Sequence, residues 1–412
     1  MADWKSDYNP HPVAEAFEKA KSVDKNGKVR FQGFAYYDYA VVLNSMVSLN
    51  KEIPLLEKRR VISQAISQAG AKGKITAERL LSEIRNLESK YLRRPLQRYN
   101  LVTSISVNRL CKLKRKKVYG CTISFCPFLP KVYGEGISEI IEHARHSIAG
   151  EIPTNYMYVK VSVSAKSHDE AANKALDALN LIRGIWNFFE NRKHGIRISS
   201  GKRNPVNKYI LGPLHTLHKP NGKLATESWW YDLEYVYQIR PYDPSRVIGK
   251  LYKFESSVRK LIQKSKYSSD IDTAILRYTR ALDLTNWEDA FLRLWSVLEH
   301  LTGMSPNDRY KVTVRRAAFV FGGEKYARQV LTHLKDYRNR AVHSGSENHD
   351  IEAYMYQLKR FVEALIRFHL GNKYGFKSLA DASRVLDLPC DRQELRKKRK
   401  TLAYAEQFLG YK

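Results

Sequence analysis

The hydrophobic pattern of the chain changes its period near Pro241 and Pro244. Before these prolines, apolar and β-branched residues alternate with polar ones in several short segments, which is typical of strands. After them, apolar residues recur every three or four positions, which is typical of helices in a bundle. Because 412 residues are too many for one ordinary core, we predict an α+β multidomain fold. A mixed α/β domain that contains a β-hairpin would precede an all-α bundle.

The region before the prolines predicts both strands and helices. A strand is expected at 28–34, and residues 54–92 favour helices, with Thr76 as a helix cap. A further strand is predicted at 156–164, where apolar and polar residues alternate. An amphipathic helix at 169–191 should follow it, since its apolar residues keep helical spacing.

Two β-hairpins are also predicted in this region. Segments 101–109 and 118–125 are rich in β-branched residues, and the basic run 112–117 between them would form the hairpin tip. A second hairpin is expected around a Pro-Asn-Gly sequence that suits a tight turn. Its strands would occupy 208–218 and 224–239, and its turn would occupy 220–222.

Six helices are predicted after the prolines, separated by breakers such as Gly322-Gly323. Their predicted bounds are 246–265, 269–284, 287–303, 309–321, 324–343 and 350–370. The tail carries a basic run at 396–400, which we place on a solvated helix. The predicted division is a mixed α/β sensing or RNA-binding domain, a linker helix, a helical bundle and a basic helical tail, over 1–240, 241–266, 267–370 and 371–412.

The charge of the chain favours a polyanionic partner. Lys and Arg number 71 against 42 Asp and Glu, a net charge of +29. Nucleic acid is the commonest partner of so basic a protein, and a membrane surface ranks well behind it. Residues 1–265 carry +21 of this charge, whereas 266–370 carry only +3. The polyanion-binding surface is therefore expected mainly outside the helical bundle.

The cysteines and the lack of several motifs limit the classes of protein that fit. Four irregularly spaced cysteines without a CxxC pair predict reduced, buried thiols in a cytoplasmic protein: Cys111, Cys121, Cys126 and Cys390. No run of eighteen apolar residues and no charged-then-apolar leader occurs, so neither a membrane span nor a secretory signal is expected. Because no P-loop, GxGxxG or zinc-ligand pattern is found, we expect no cofactor and no metal.

The helix predicted at 324–343 ends in groups that suit RNA cleavage. The guanidinium of Arg338 can hold a phosphate and stabilise charge in the transition state. The imidazole of His343 can exchange protons near neutral pH, and Asn339 could orient it or contact the phosphate or ribose. These parts suffice for metal-independent attack of an RNA 2′-hydroxyl on its neighbouring phosphate. The alternative without a catalytic role is that cations at this helix end only complement the helix dipole.

This segment resembles the HEPN superfamily and, within it, the Apea-like branch. That family's signature is Arg, a polar residue, three variable residues and His near the end of a late helix, which matches Arg338, Asn339 and His343. Upstream, Leu298-Glu299 resembles the Leu-Glu end of the family's apolar helix. The resemblance covers about 267–370. It implies an all-helical HEPN bundle that dimerises so that two Arg/His pairs face each other across a cleft.

The resemblance also implies residue roles and a biological setting. His343 would be the general acid and base, Arg338 the phosphate ligand, Asn339 the orienting residue and Glu299 the partner that holds Arg338, although Glu299 could equally form a surface ion pair. The expected activity is a cytoplasmic endoribonuclease that cuts tRNA or phage and host transcripts. Such enzymes serve in anti-phage defence, abortive infection or as toxins, and a phage-derived trigger would release this one. The alternative is a catalytically silent HEPN adaptor that binds RNA or dimerises.

The basic run at 112–117 is the second candidate site. Its cations could follow an RNA backbone, since lysine and arginine side chains neutralise phosphates. The alternative is a charged turn that only keeps the protein soluble. The predicted RNA-binding residues are Lys114, Arg115, Lys116 and Lys117.

Overall fold

A computed structural model describes residues 1–24, 29–32, 34–144, 152–193, 204–232, 234–304, 310–344 and 350–411. These residues form a mixed α/β structure in which helices outnumber strands and the main sheet is antiparallel. This mixed content is compatible with the predicted α+β class, and the all-α HEPN bundle within it stays a prediction. None of the helices in these ranges is both long enough and apolar enough to cross a membrane.

The first 92 residues form a small helical unit with a core of its own. Its elements are β1 (Asp3–Trp4), α1 (His11–Ala20), β2 (Lys21–Val23), β3 (Val29–Phe31), α2 (Ala35–Met46), β4 (Val47–Ser48), α3 (Leu55–Ala71) and α4 (Ala77–Leu92). β1 pairs with β4, and β2 pairs with β3. The predicted strand and helices are confirmed, and the Thr76 hydroxyl caps α4 by accepting from the Arg79 amide at 3.3 Å. Buried apolar side chains such as Phe17, Ile62 and Ile66 fill this core.

The main sheet is antiparallel and has the strand order β10-β9-β5-β8-β7-β6. Its strands are β5 (Gln97–Asn108), β6 (Lys116–Val118), β7 (Cys121–Cys126), β8 (Tyr156–Ala165), β9 (Leu214–His218) and β10 (Trp230–Tyr231). The predicted hairpin of 101–109 with 118–125 is wrong, because β8 lies between β5 and β7 and pairs with both. The tight hairpin joins β6 to β7 through Tyr119 and Gly120, which both have positive φ.

The basic run at 112–117 is consequently not a hairpin tip. Its last two residues belong to β6 at the edge of the sheet. The turn of the second predicted hairpin is confirmed. Gly222 has a φ of +90° there, and His218 forms a β-bridge with Leu224. Its strands are much shorter than predicted, since only β9 and β10 pair there.

All six helices predicted after the prolines are confirmed. After α5 (Gly134–Ala144) and α6 (His168–Glu190) come α7 (Ile248–Lys264), α8 (Ser268–Leu282), α9 (Trp287–Leu301), α10 (Tyr310–Phe319), α11 (Lys325–Ser344), α12 (Ile351–Gly371), α13 (Leu379–Leu386) and α14 (Arg392–Phe408). α9 packs on α8 and α12, and α11 packs on α9, α10 and α12. The tail helix α14 has no buried residue, as expected of a solvated basic helix.

Helix α6 joins the sheet to the later helices. One side of it contacts β5, β7 and β8, while α7 and α8 pack elsewhere along it. A single hydrophobic core therefore runs from Tyr99 in the sheet to Leu386 in α13. The division of the chain into domains at residues 240 and 266 stays a prediction, and the apolar core continues across both positions.

The cysteines are only partly as predicted. All four are free thiols, and Cys111 and Cys121 are buried. Cys126 is half-buried and Cys390 is exposed, so the expectation of burial is wrong for Cys390. The reason is its position in the loop between α13 and α14, where Pro389 precedes it and the chain leaves the core.

Candidate active site and basic groove

The C-terminal half of α11 is anchored against two neighbouring helices just before the predicted catalytic residues. Leu331, Leu334 and Tyr337 recur at helical spacing and are buried. The Tyr337 ring meets the edge of Phe291 on α9 with 4.9 Å between ring centroids, and it lies equally close to Tyr354 on α12. Arg338 directly follows the buried Tyr337, and its side chain is half-buried.

The carboxylate of Glu299 on α9 interacts electrostatically with Arg338. The indole Nε1 of the buried Trp295 donates to Glu299 Oε1 at 2.6 Å and so fixes the direction of the carboxylate. Burial raises the pKa of Glu299, while this hydrogen bond and the positive charge of Arg338 act against the increase. The charge of Arg338 is therefore felt at Glu299, which places these two predicted site residues within electrostatic range of each other.

The other two predicted catalytic residues lie further along α11. Asn339 is half-buried, and the backbone remains helical through Ser344. His343 belongs to the last turn of α11, but its side chain and Gly345 lie outside the residues that the structure describes. Since positions 338 and 343 are about 140° apart around a regular helix, one ligand can reach both only across a broad groove.

Within the predicted RNA-binding run, Lys116 is held inside the protein. Its ammonium pairs with Glu255 Oε2 on α7 at 2.7 Å and lies 3.9 Å from the centre of the Tyr252 ring. The same carboxylate oxygen accepts from Trp186 Nε1 on α6 at 2.9 Å. The Lys116 side chain is 11% exposed and that of Glu255 is 3% exposed. Lys116 thus joins β6 to α6 and α7, and its charge is already paired with Glu255 where it lines the surface.

Unlike Lys116, the other predicted RNA-binding residues of the run have exposed side chains. Lys114, Arg115 and Lys117 are exposed. Arg115 and Lys117 line a groove of about 440 Å³ together with Arg259 and Lys260 of α7. These cations converge on one concave surface, which we call the basic groove.

The contribution of α7 to the basic groove was not predicted from the sequence. This segment was predicted to be a linker helix, although it carries one acidic residue, Glu255, among several basic ones. Its basic residues are Lys250, Lys253, Arg259, Lys260 and Lys264. That imbalance was the available signal, because a run of cations along one helix indicates contact with a polyanion.

The histidines near the sheet have structural partners. His215 Nδ1 lies 2.6 Å from Thr103 Oγ1, and burial lowers the pKa of His215 to about 4, so its imidazole is neutral at pH 7. His218 Nδ1 donates to the Gly222 carbonyl at 2.9 Å and holds the turn after β9. Among the described residues, no three His, Cys, Asp or Glu side chains gather as ligands for a metal ion.

Comparison of the chain with protein-family models, with curated proteins and with solved structures finds no match. The likeness to the HEPN superfamily therefore depends on the motif residues of this chain and on their helical setting. Those residues are Arg338, Asn339, His343 and the pair Leu298-Glu299.

Replacing Glu299 with glutamine should change how stability depends on pH. Because its folded-state pKa is raised above the ordinary value of 4.5, the folded protein holds this proton more tightly than the unfolded chain does. The stability that the neutral carboxyl contributes is therefore lost as pH rises through the raised pKa of Glu299. Glu299→Gln has no such loss, so it should gain stability relative to wild type as pH rises above the ordinary value of 4.5.

Urea unfolding at a series of pH values measures this difference, and Glu324→Gln at an exposed position is the matched control. A gap between Glu299→Gln and wild type that closes with rising pH would mean that the charge of Arg338 outweighs burial at Glu299.

Lys116 and Lys117 should differ sharply when each is replaced by methionine. Lys116→Met leaves the buried Glu255 carboxylate without its closest cation, so we expect a loss of about 3 kcal/mol in the free energy of unfolding. Lys117→Met changes an exposed side chain and should stay within about 0.5 kcal/mol of wild type. Denaturant unfolding of both variants tests this. Equal effects would show that Lys116 is not the structural member of the run.

Proposed function

We propose that the chain is a metal-independent endoribonuclease of the HEPN type whose active site is the C-terminal end of α11. The observation that supports the proposal is that Arg338 lies within electrostatic range of the oriented carboxylate of Glu299, where α11 packs on α9. A carboxylate at this position can hold a guanidinium in place while leaving its outer N–H groups for a phosphate. The basic groove supports RNA as the substrate, since its cations suit a phosphate backbone.

The proposed reaction assigns one task to each residue. Arg338 binds the non-bridging phosphate oxygens and stabilises the charge that gathers on them in the transition state. His343 removes the proton of the RNA 2′-hydroxyl, whose oxygen then attacks the adjacent phosphorus. The bond from phosphorus to the 5′-oxygen breaks, and that oxygen takes up a proton. The products are a 2′,3′-cyclic phosphate and a 5′-hydroxyl, and Asn339 orients the imidazole or the ribose.

Homodimerisation through the helical bundle is part of the proposal. The spacing of positions 338 and 343 sets the two side chains about 140° apart around α11. In a two-fold symmetric pair, each copy would present the same helix end to one shared cleft, so that Arg and His groups converge from both chains. The cleft would then be broad enough for an RNA strand.

The biological setting follows from the resemblance. We propose a cytoplasmic enzyme of anti-phage defence or abortive infection that cuts tRNA or phage and host transcripts. The region before residue 240 would sense a phage-derived trigger or grip RNA. Deleting residues 1–240 is unsuitable as a test, because the sheet and the later helices share one apolar core.

A catalytically silent RNA-binding adaptor is the second candidate function. The basic groove favours it, because Arg115, Lys117, Arg259 and Lys260 can bind phosphates whether or not α11 cuts RNA. Salt-sensitive RNA binding is common to both candidates. The chemistry of the RNA ends separates them.

His343→Ala should abolish cleavage of RNA. Purified wild type is incubated with total tRNA and with a long RNA in EDTA, with and without phage lysate, and the new ends are analysed. Loss of the general acid and base should lower the rate by about a hundredfold or more. His333→Ala is the matched control, since His333 is an exposed histidine on the same helix. It should cut like wild type.

Cyclic-phosphate ends from wild type and from His333→Ala, but not from His343→Ala, are the expected result. Lasting inactivity of wild type with every RNA and with lysate present would favour the adaptor. Equal cleavage by wild type and His343→Ala would remove the proposed active site.

A further inference from the structure

The helix α14 lies on the outside of the protein and is closed by caps at both ends. None of its residues is buried. Asp391 caps its start by accepting from two backbone amides at 2.9 Å. At its end, Gly410 has a φ of +71°, and the Tyr411 amide donates back to the Glu406 carbonyl at 3.0 Å. Because these caps satisfy the end groups of the backbone, α14 keeps its helical form although it buries no side chain.

Charged and apolar side chains are separated along α14. Residues 391–400 carry six cations against two carboxylates. Residues 401–411 carry one charged side chain, Glu406, and are otherwise mostly apolar. The large apolar side chains among them are exposed, with Phe408 at 90% and Leu402 at 63%. Exposed apolar groups of this size beside a cluster of cations indicate a surface that meets a partner.

The apolar side chains of α14 after residue 401 share one face of the helix. At about 100° per residue, they fall within an arc of about 160°. The opposite side of these turns carries the polar side chains of Glu406 and Gln407. We call the arc the α14 apolar face, and it consists of Leu402, Tyr404, Ala405, Phe408 and Leu409.

The cations of α14 continue onto the neighbouring helices. Lys397 and Lys398 line a space of about 560 Å³ together with Arg315 of α10 and Arg328 of α11. The α14 apolar face starts directly after Thr401, the last residue of the helix that lines this space. A partner on the α14 apolar face would therefore lie beside cations from three helices.

An anionic bilayer surface matches these features better than other partners do. It supplies negative headgroups for the cations and an apolar interior for the α14 apolar face. RNA offers phosphates to the cations, but Leu402 and Leu409 have no planar group to stack on a base. A second copy of α14 would bring the same excess of cations, so charge opposes pairing of the helix with itself.

We propose that α14 docks on the surface of a bilayer that contains anionic lipids. The cations at 392–400 lie at the headgroups, and the α14 apolar face enters the boundary between headgroups and acyl chains. Docking of this kind places the helix on the bilayer and not across it. It is independent of the ribonuclease activity proposed for α11, since neither Arg338 nor His343 takes part.

Sedimentation of the full chain with vesicles tests the proposal, in EDTA and without RNA. Vesicles of phosphatidylcholine alone are compared with vesicles that also contain phosphatidylglycerol. Phe408→Ser should weaken binding to the anionic vesicles about tenfold, because its ring no longer enters the boundary region. Phe128→Ser, at a phenylalanine that is exposed elsewhere on the protein, is the matched control.

Arg399→Gln tests the electrostatic part of the proposal and should weaken binding about fivefold. Arg384→Gln, with a side chain 81% exposed on α13, is its control. Lys117→Gln reports on binding through the basic groove. Because all of these side chains lie on the surface, each variant should keep the fold, which circular dichroism checks.

The expected result is binding to the anionic vesicles alone, weakened in Phe408→Ser and in Arg399→Gln and unchanged in the three controls. No binding of wild type to these vesicles would overturn the proposal, as would equal weakening in Lys117→Gln. If Phe408→Ser weakened RNA binding and left vesicle binding intact, α14 would be part of an RNA surface instead. If it removed only self-association, the α14 apolar face would belong to an interface between two copies.

Discussion

Helix α6 is buried along most of its length, so its charged side chains must find partners inside the protein. Arg183 does so through a bidentate pair with Asp283 after α8, with N–O distances of 2.9 and 2.6 Å. Its Nε donates to Asn180 Oδ1 at 2.7 Å, and Asn207 Nδ2 donates to Asp283 Oδ1 at 2.8 Å. Because this buried pair is hydrogen-bonded on both sides, it fixes the helices that follow residue 244 relative to the sheet.

The same constraint acts at both ends of α6. Near its start, Glu170 accepts from the hydroxyl of Tyr91 at 2.8 Å, which connects α6 to the N-terminal unit. Near its end, Trp186 donates to Glu255, which also pairs with Lys116. The basic groove is therefore assembled from β6 and α7 by interactions that are themselves buried. Within the run at 112–117, Lys116 forms the buried pair with Glu255, whereas Lys114, Arg115 and Lys117 are exposed and available to a partner.

The sequence predicted the helices well because helical spacing is a local property. The apolar stripe of α9 and the Thr76 cap of α4 can be read within one turn or two. The order of strands could not be read in this way, since β8 joins the sheet between β5 and β7 from more than thirty residues away. Alternation indicates a strand but does not indicate its neighbours.

The candidate sites show the same limit. Lys116 and Lys117 are adjacent and chemically identical, yet one is buried against Glu255, which lies 139 positions after Lys116 in a segment predicted to be a linker. Arg328 and Lys398 line one space only because α14 begins beside α10 and α11. The expectation that Glu299 partners Arg338 came from the family resemblance, and no local pattern in the sequence pairs two residues on different helices.

Cleavage of 2′-O-methylated RNA is the most direct measurement of the chemistry proposed for α11. A 2′-O-methyl group removes the nucleophile but keeps the phosphate, the base and the A-form geometry that a binding surface contacts. Wild-type protein in EDTA should cut the unmodified strand, bind the methylated strand and leave it intact. Cleavage of both strands at similar rates would contradict attack by the 2′-hydroxyl, and with it the roles assigned to Arg338 and His343.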